Sequence, residues 1–128
     1  KKIGSRSNVI INDAVYKSKY RSIINKSKIM LGFITRSNKD DLSFRNFEIT
    51  ACGSFLLSQR SSMQERVFRE NIEAIYFNDV EDCASKIHHF LIHSDERETI
   101  ANQGYKRSLE LGLDNDFVIK RAFLKVFR

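Results

Sequence analysis

The chain has 128 residues, of which 41% are apolar and 30% charged, and a net charge of +6, a balance typical of one globular domain. No apolar run approaches the roughly 20 residues that cross a bilayer, and the basic residues 1–6 lead into no apolar signal segment. Two cysteines, Cys52 and Cys83, are too few for a disulfide framework, so the composition favours a reducing cytoplasm.

Four short apolar runs have the length of buried β-strands. In chain order they are residues 9–11, 29–34, 55–57 and 75–77. Helical patterns lie between them, and strands that alternate with helices predict βαβ units and a parallel sheet. Because crossovers are right-handed, helices should cover both faces of that sheet. The sequence therefore predicts a Rossmann-like, doubly wound α/β layer of about four strands.

The predicted helices carry apolar stripes at helical spacing. They span residues 14–27, 46–52, 62–70, 80–93, 95–111 and 115–127. Asp13 and Asp79 are expected to be the N-caps of the first and the fourth. Gly53 is expected to follow the end of the second, since glycine readily adopts the left-handed conformation found there. The last helices make the C-terminal third helical, and we expect a single domain over residues 1–128.

A polar segment at residues 35–48 follows the strand at residues 29–34, where an open parallel sheet binds its ligands. Arg45 can make forked, charge-assisted bonds to a phosphate, and free N–H groups at the helix start near Asn46 favour phosphate oxygens. Glu48 lies one turn further and can accept both hydroxyls of a ribose. These residue types suit a nucleoside diphosphate.

Other polar residues extend this candidate site. Asp40 or Asp41 is placed to contact a sugar hydroxyl, and Arg60 follows the next strand at the same edge of the sheet. A plain turn is an equally good interpretation of the segment around Arg60. For the rest of the site, the alternative is a polar surface loop in which Arg45 and Glu48 pair at i, i+3.

Residues 45–57 read RNFEITACGSFLL and closely resemble the R-x-F-E-x-x-A-C-G-x-F-L-L segment of the CgeB-like (spore maturation protein type) glycosyltransferases, which have the GT-B fold. Further similar pieces keep the family's order on both sides. They lie at residues 20–33, 67–73, 76–77, 86–87, 95–97 and 100–105. The resemblance covers about residues 20–127.

This resemblance implies a hexosyltransferase-type enzyme in which two Rossmann-like domains face each other across a cleft. The chain would be the C-terminal domain, which holds a nucleotide-sugar donor. It would lack the N-terminal acceptor domain and would be inactive by itself. Glu48 and Arg45 would be the catalytic residues: Glu48 would hold the ribose, and Arg45 would neutralise the diphosphate as charge develops on the leaving nucleotide. Asp40 and Glu48 match two acids that many relatives carry eight positions apart. The resemblance implies no metal and no other cofactor.

The sequence departs from the family's pattern in the missing N-terminal domain and at residue 71. Asn71 stands where related sequences often have glycine, and asparagine also tolerates the left-handed conformation. The last predicted helix has an apolar stripe that in such enzymes contacts the other domain, and its exposure would favour a homodimer. The stripe consists of Ile119, Phe123, Val126 and Phe127.

The charge distribution leaves other functions open. Residues 1–39 carry ten Lys and Arg against one acid, a balance of +9, whereas residues 40–128 have a balance of −3. Such a basic front half is also typical of nucleic-acid-binding modules, whose binding depends steeply on salt. Tyr16 and Tyr20 lie on an apolar stripe rather than among lysines, which disfavours this alternative. A third class is a non-catalytic interaction domain that retains the fold.

Overall fold

The computed structural model describes residues 9–16, 18–34 and 43–112. Within these ranges the chain forms five α-helices and three β-strands that mostly alternate. In chain order they are α1 (Ser18–Lys26), β1 (Met30–Gly32), α2 (Phe44–Ala51), β2 (Leu56–Gln59), α3 (Ser62–Val67), β3 (Ile75–Phe77), α4 (Val80–Ile92) and α5 (Ser94–Glu110).

The three strands form one parallel sheet in the order β1-β2-β3. Gly32 pairs with Ser58 of β2, which pairs in turn with Tyr76 of β3. Each strand is followed by a helix before the next strand begins, as βαβ units require. The predicted parallel, Rossmann-like α/β layer is confirmed.

Apolar side chains on both faces of the sheet are buried beneath helices. One face packs against α4 and α5 through a cluster that contains Phe55, Leu57, Ile75, Phe77, Phe90, Ile100 and Ala101. The other packs against α2 and the end of α3 through Ile49, Leu56, Phe68, Ala74 and Tyr76. Fully burying one large apolar side chain contributes roughly 1.5–3 kcal/mol, so these two clusters dominate the stability of the described domain. The prediction of helices on both faces is confirmed.

The first predicted strand is wrong. Residues 9–11 lie outside any strand, and Ile10 and Ile11 are 83% and 75% exposed. A short apolar run becomes a buried strand only where a neighbouring strand pairs with it, and the sheet in the described ranges has β1 at its edge. The first helix begins at Ser18 instead of residue 14, so Asp13 is not its N-cap.

The caps of the other helices follow the sequence more closely. The Asp79 carboxylate accepts a 2.8 Å hydrogen bond from the backbone N–H of Asp82, which confirms it as the N-cap of α4. Gly53 has φ 77° beyond the end of α2, and Asn71 has φ 63°, so both adopt the expected left-handed conformation. Helix α3 ends at Val67, three residues earlier than predicted.

Some predictions fall outside the described residues. These are the last helix at residues 115–127 with its apolar stripe, and the acids Asp40 and Asp41. Every helix within the described ranges is too short or too polar to span a bilayer.

Candidate functional site

Helix α2 positions the central residues of the candidate site. It begins at Phe44, two residues earlier than predicted, so Arg45 and Glu48 both lie within its first two turns. Its inner face buries Asn46 and Ile49 against the sheet, and Thr50 is buried beside Ser108 of α5. Because residues three apart lie on the same side of a helix, Arg45 and Glu48 share a flank beside that inner face, where Arg45 is exposed and Glu48 half-buried.

Arg45 and Glu48 line the same cavity. It has a volume of about 500 Å³ and lies between the end of β1 and the start of α2. Its lining consists of Leu31, Phe33, Ser43, Phe44, Arg45 and Glu48. The two residues that the sequence singles out as a phosphate ligand and a ribose ligand are therefore brought together at one opening.

The start of α2 faces this cavity with backbone donors. Ser43 is the N-cap, with an extended backbone (φ −109°, ψ 124°), and makes no side-chain hydrogen bond to the helix within the described residues. The first N–H groups of a helix lack partners inside the helix and carry a partial positive charge. This end of α2 is therefore suited to an anion next to the Arg45 guanidinium.

Tyr20 of α1 lies behind Arg45 and Glu48. Its ring centre is 6.0 Å from the Arg45 guanidinium carbon, and its buried hydroxyl lies beside the Glu48 carboxylate. Burial, and after it the negative charge of Glu48, raises the pKa of Tyr20. The sequence places Tyr20 only on an apolar stripe, although the segment that resembles the CgeB-like enzymes begins at this residue.

Arg60 lies at the same carboxyl edge of the sheet but does not line this cavity. Its guanidinium makes hydrogen bonds of 2.8 and 2.6 Å to Glu70, a further one to Glu65, and one of 2.8 Å from Nε to Asn78. The bonds to Glu70 are the largest influence that raises the pKa of Arg60, and they lower the pKa of Glu70. These contacts join the ends of β2 and β3 to α3 and give Arg60 a structural role.

Asn46 is fully buried and points away from the cavity. Its Nδ2 donates a 2.7 Å hydrogen bond to the Oγ of Ser58 on β2. The structure therefore brings Arg45 and Glu48 together and separates Asn46 and Arg60 from them. Asp40 and Asp41 precede α2 outside the described ranges.

Comparison with known protein families identifies the family of this chain. A model described as glycosyl transferase-like matches residues 1–111. The chain belongs to this glycosyl transferase-like family. No curated protein and no solved structure matches the chain. The family match runs through the whole of α2 and supports a glycosyltransferase domain over a nucleic-acid-binding module.

Two other features of this glycosyl transferase-like chain lie away from α2. A smaller cavity of about 170 Å³ opens at the amino ends of β1 and β2. Arg97 lines this cavity and donates a 2.6 Å hydrogen bond to the Phe90 carbonyl. His89 of α4 and His93, which follows the end of this helix, stack with ring centres 4.0 Å apart. In the part of the chain that the structure describes, no group of three or more His, Cys, Asp or Glu side chains is arranged to hold a metal ion.

Proposed function

We propose that this chain is the donor-binding domain of a GT-B glycosyltransferase of the CgeB-like type. In this proposal the cavity at the start of α2 binds the nucleoside diphosphate of a nucleotide sugar. The observation that carries it is the shared position of Arg45 and Glu48 in one cavity at the carboxyl end of a parallel strand. Open α/β sheets bind ligands at that edge.

Arg45 supplies positive charge to the diphosphate. Its guanidinium is exposed beside the start of α2, where the Ser43 side chain makes no capping hydrogen bond within the described residues, so a phosphate oxygen can accept bonds from the side chain and from backbone N–H groups together. Negative charge grows on the nucleotide as the sugar leaves, and donors already in place stabilise that charge most effectively. Arg45 is therefore proposed as a catalytic residue together with Glu48, and we propose that the site needs no metal.

Glu48 recognises the ribose. Its half-buried carboxylate lies one turn beyond Arg45, and a carboxylate accepts hydrogen bonds from both hydroxyls of a diol. Phe33 and Phe44 line the same cavity and are 63% and 53% exposed, so they offer apolar faces to the base or the sugar. Asp40 or Asp41 remains a proposed contact of the transferred sugar.

We propose that the acceptor is not bound by this chain. A second Rossmann-like domain would bind the acceptor, provide any general base and close over the donor. We propose that the chain alone binds the nucleotide but transfers hexose slowly or not at all.

Calorimetric titration of the full 128-residue chain with UDP and with GDP tests nucleotide binding. We expect one of them to bind, Arg45→Ala to weaken binding at least about tenfold, and Glu48→Gln to weaken it about threefold to tenfold. Arg66→Ala on α3 and Glu81→Gln on α4 are matched controls, since both side chains are exposed and lie outside the cavity lining. Both controls should retain the affinity of the unmodified chain.

Two outcomes would contradict the proposal. One is that neither nucleotide binds at millimolar concentration. The other is that all four variants bind equally well. Tight, steeply salt-dependent binding of an oligonucleotide without nucleotide binding would support the nucleic-acid module instead.

A further inference from the structure

We infer that Asn46 is a positioning residue of this site, and that its contact with Gly32 fixes Arg45 and Glu48 relative to the end of β1. The contact lies on the buried side of the cavity and joins the strand to the helix. This inference rests on the proposed function, because it explains how the nucleotide site is held in shape.

Asn46 is anchored to the sheet through its side-chain amide. The residue is fully buried, and Nδ2 donates to the Ser58 Oγ at 2.7 Å. Ser58 is also fully buried and pairs with Gly32 across β1 and β2. The first turn of α2 is therefore tied to two neighbouring strands at one point.

Gly32 leaves the space that Asn46 occupies. A Cβ at this position would overlap the Asn46 Oδ1 and would lie 2.9 Å from both the Asn46 Cγ and the Ser58 Oγ. The φ of Gly32 does not lie in the left-handed region, so the backbone does not require glycine there. What requires glycine is the close approach of the Asn46 amide.

The residues of this contact lie between residues that line the cavity. Gly32 stands between Leu31 and Phe33, which form the strand side, and Asn46 stands between Arg45 and Glu48, which form the helix side. A displacement of α2 at Asn46 would therefore move Arg45 and Glu48 relative to Leu31 and Phe33. Binding groups held within about half an ångström of their productive positions are sensitive to such shifts.

Stability alone does not explain an asparagine here. The buried Oδ1 of Asn46 has no hydrogen-bond partner in residues 9–16, 18–34 or 43–112, which is unfavourable for folding. Buried polar atoms without partners are rare in native proteins and require an explanation. In this inference the bond from Nδ2 to Ser58 positions α2 in spite of that cost.

The test compares Gly32→Ala, Asn46→Ala and the double variant by UDP or GDP titration, at a temperature where all are folded. Gly32→Ala should weaken binding at least about tenfold, because the added methyl displaces Asn46 and with it Arg45 and Glu48. Asn46→Ala should weaken binding less than Gly32→Ala does. In the double variant the affinity should be no more than about twofold lower than in Asn46→Ala, because the amide that clashes with the added methyl is absent. Asn102→Ala, at an exposed position of α5 outside the cavity lining, is the control and should change the affinity less than about twofold.

Backbone amide NMR signals of residues 43–48 without nucleotide provide a second measurement. They should shift in Gly32→Ala and return toward those of Asn46→Ala in the double variant. Unmoved signals in Gly32→Ala, or effects of the two substitutions that simply add, would overturn the positioning role. If the unmodified chain binds no nucleotide, the proposed function fails, and these signals still decide whether the contact positions α2.

Discussion

The guanidinium carbon of Arg45 lies 6.0 Å from the centre of the Tyr20 ring, so helix α1 supports a cation that helix α2 presents to the cavity. A cation above an aromatic face gains roughly 0.5–1 kcal/mol at such a partly exposed position. The ring therefore favours one orientation of Arg45. The Tyr20 hydroxyl is buried beside the Glu48 carboxylate, whose negative charge raises the pKa of the hydroxyl.

Tyr20 variants separate the contribution of the ring from that of the hydroxyl. Tyr20→Leu removes the aromatic face and should weaken nucleotide binding about twofold to fivefold, the equivalent of 0.5–1 kcal/mol. Tyr20→Phe keeps the face and removes only the hydroxyl beside Glu48, so binding should stay within about twofold and the melting temperature should change little. Calorimetric titration and thermal unfolding measure both effects. Equal losses of affinity in the two variants would show that the hydroxyl, and not the ring, is required.

Much of the fold follows from local patterns in the sequence. The strand Ile75–Phe77 and the Asp79 cap of α4 are found where expected, because an apolar run bounded by polar residues and a carboxylate before a helix act over a few residues. The predicted strand at residues 9–11 fails because pairing depends on a distant partner, which no local pattern specifies.

The predictions for the candidate site also separate into those set by local sequence and those set by distant residues. Arg45 and Glu48 share a cavity because residues three apart on a helix lie on the same side, which the sequence alone indicates. Asn46 and Arg60 have partners that are 12 and 10 residues away, Ser58 and Glu70 respectively. Sequence position places both residues at the correct edge of the sheet, but only the packing of β2 and α3 determines where their side chains point.

The pairing of Arg60 with Glu70 should make stability depend on acid pH. Hydrogen bonds from Arg60 hold the pKa of Glu70 below its usual value. The pair therefore stabilises the fold above the unfolded pKa of about 4.3, and this contribution is lost as the pH falls through the lower folded value. Urea unfolding at about pH 6 and about pH 3 should show a smaller loss of unfolding free energy for Glu70→Gln than for the unmodified chain. An equal loss in both proteins would assign the acid sensitivity to other carboxylates.

Tyr76 should contribute to stability through its hydroxyl. The residue is fully buried, and its hydroxyl lies 2.7 Å from the Phe68 carbonyl and 2.9 Å from the Gln64 carbonyl at the end of α3. Tyr76→Phe leaves buried carbonyl oxygens without this donor and should lower the free energy of unfolding by about 1–3 kcal/mol. Tyr105→Phe on α5 is the control, since Tyr105 is 40% exposed, and should change stability by less than about 0.5 kcal/mol. Similar urea midpoints for both variants would contradict the assigned role of Tyr76.

We expect the stability of the chain to require glycine at position 104, where α5 passes the end of the turn before β3. A Cβ on Gly104 would lie 2.5 Å from the backbone carbonyl oxygen of Glu73, which cannot move aside as a flexible side chain would. Alanine favours a helix over glycine by about 1 kcal/mol, but crowding of a packed interior costs about 1–3 kcal/mol. Gly104→Ala should therefore destabilise the chain by up to about 2 kcal/mol, whereas Asn102→Ala at an exposed position of the same helix should be neutral or slightly stabilising. Thermal unfolding distinguishes them, and a higher melting temperature for Gly104→Ala would mean that α5 does not pack this closely against Glu73.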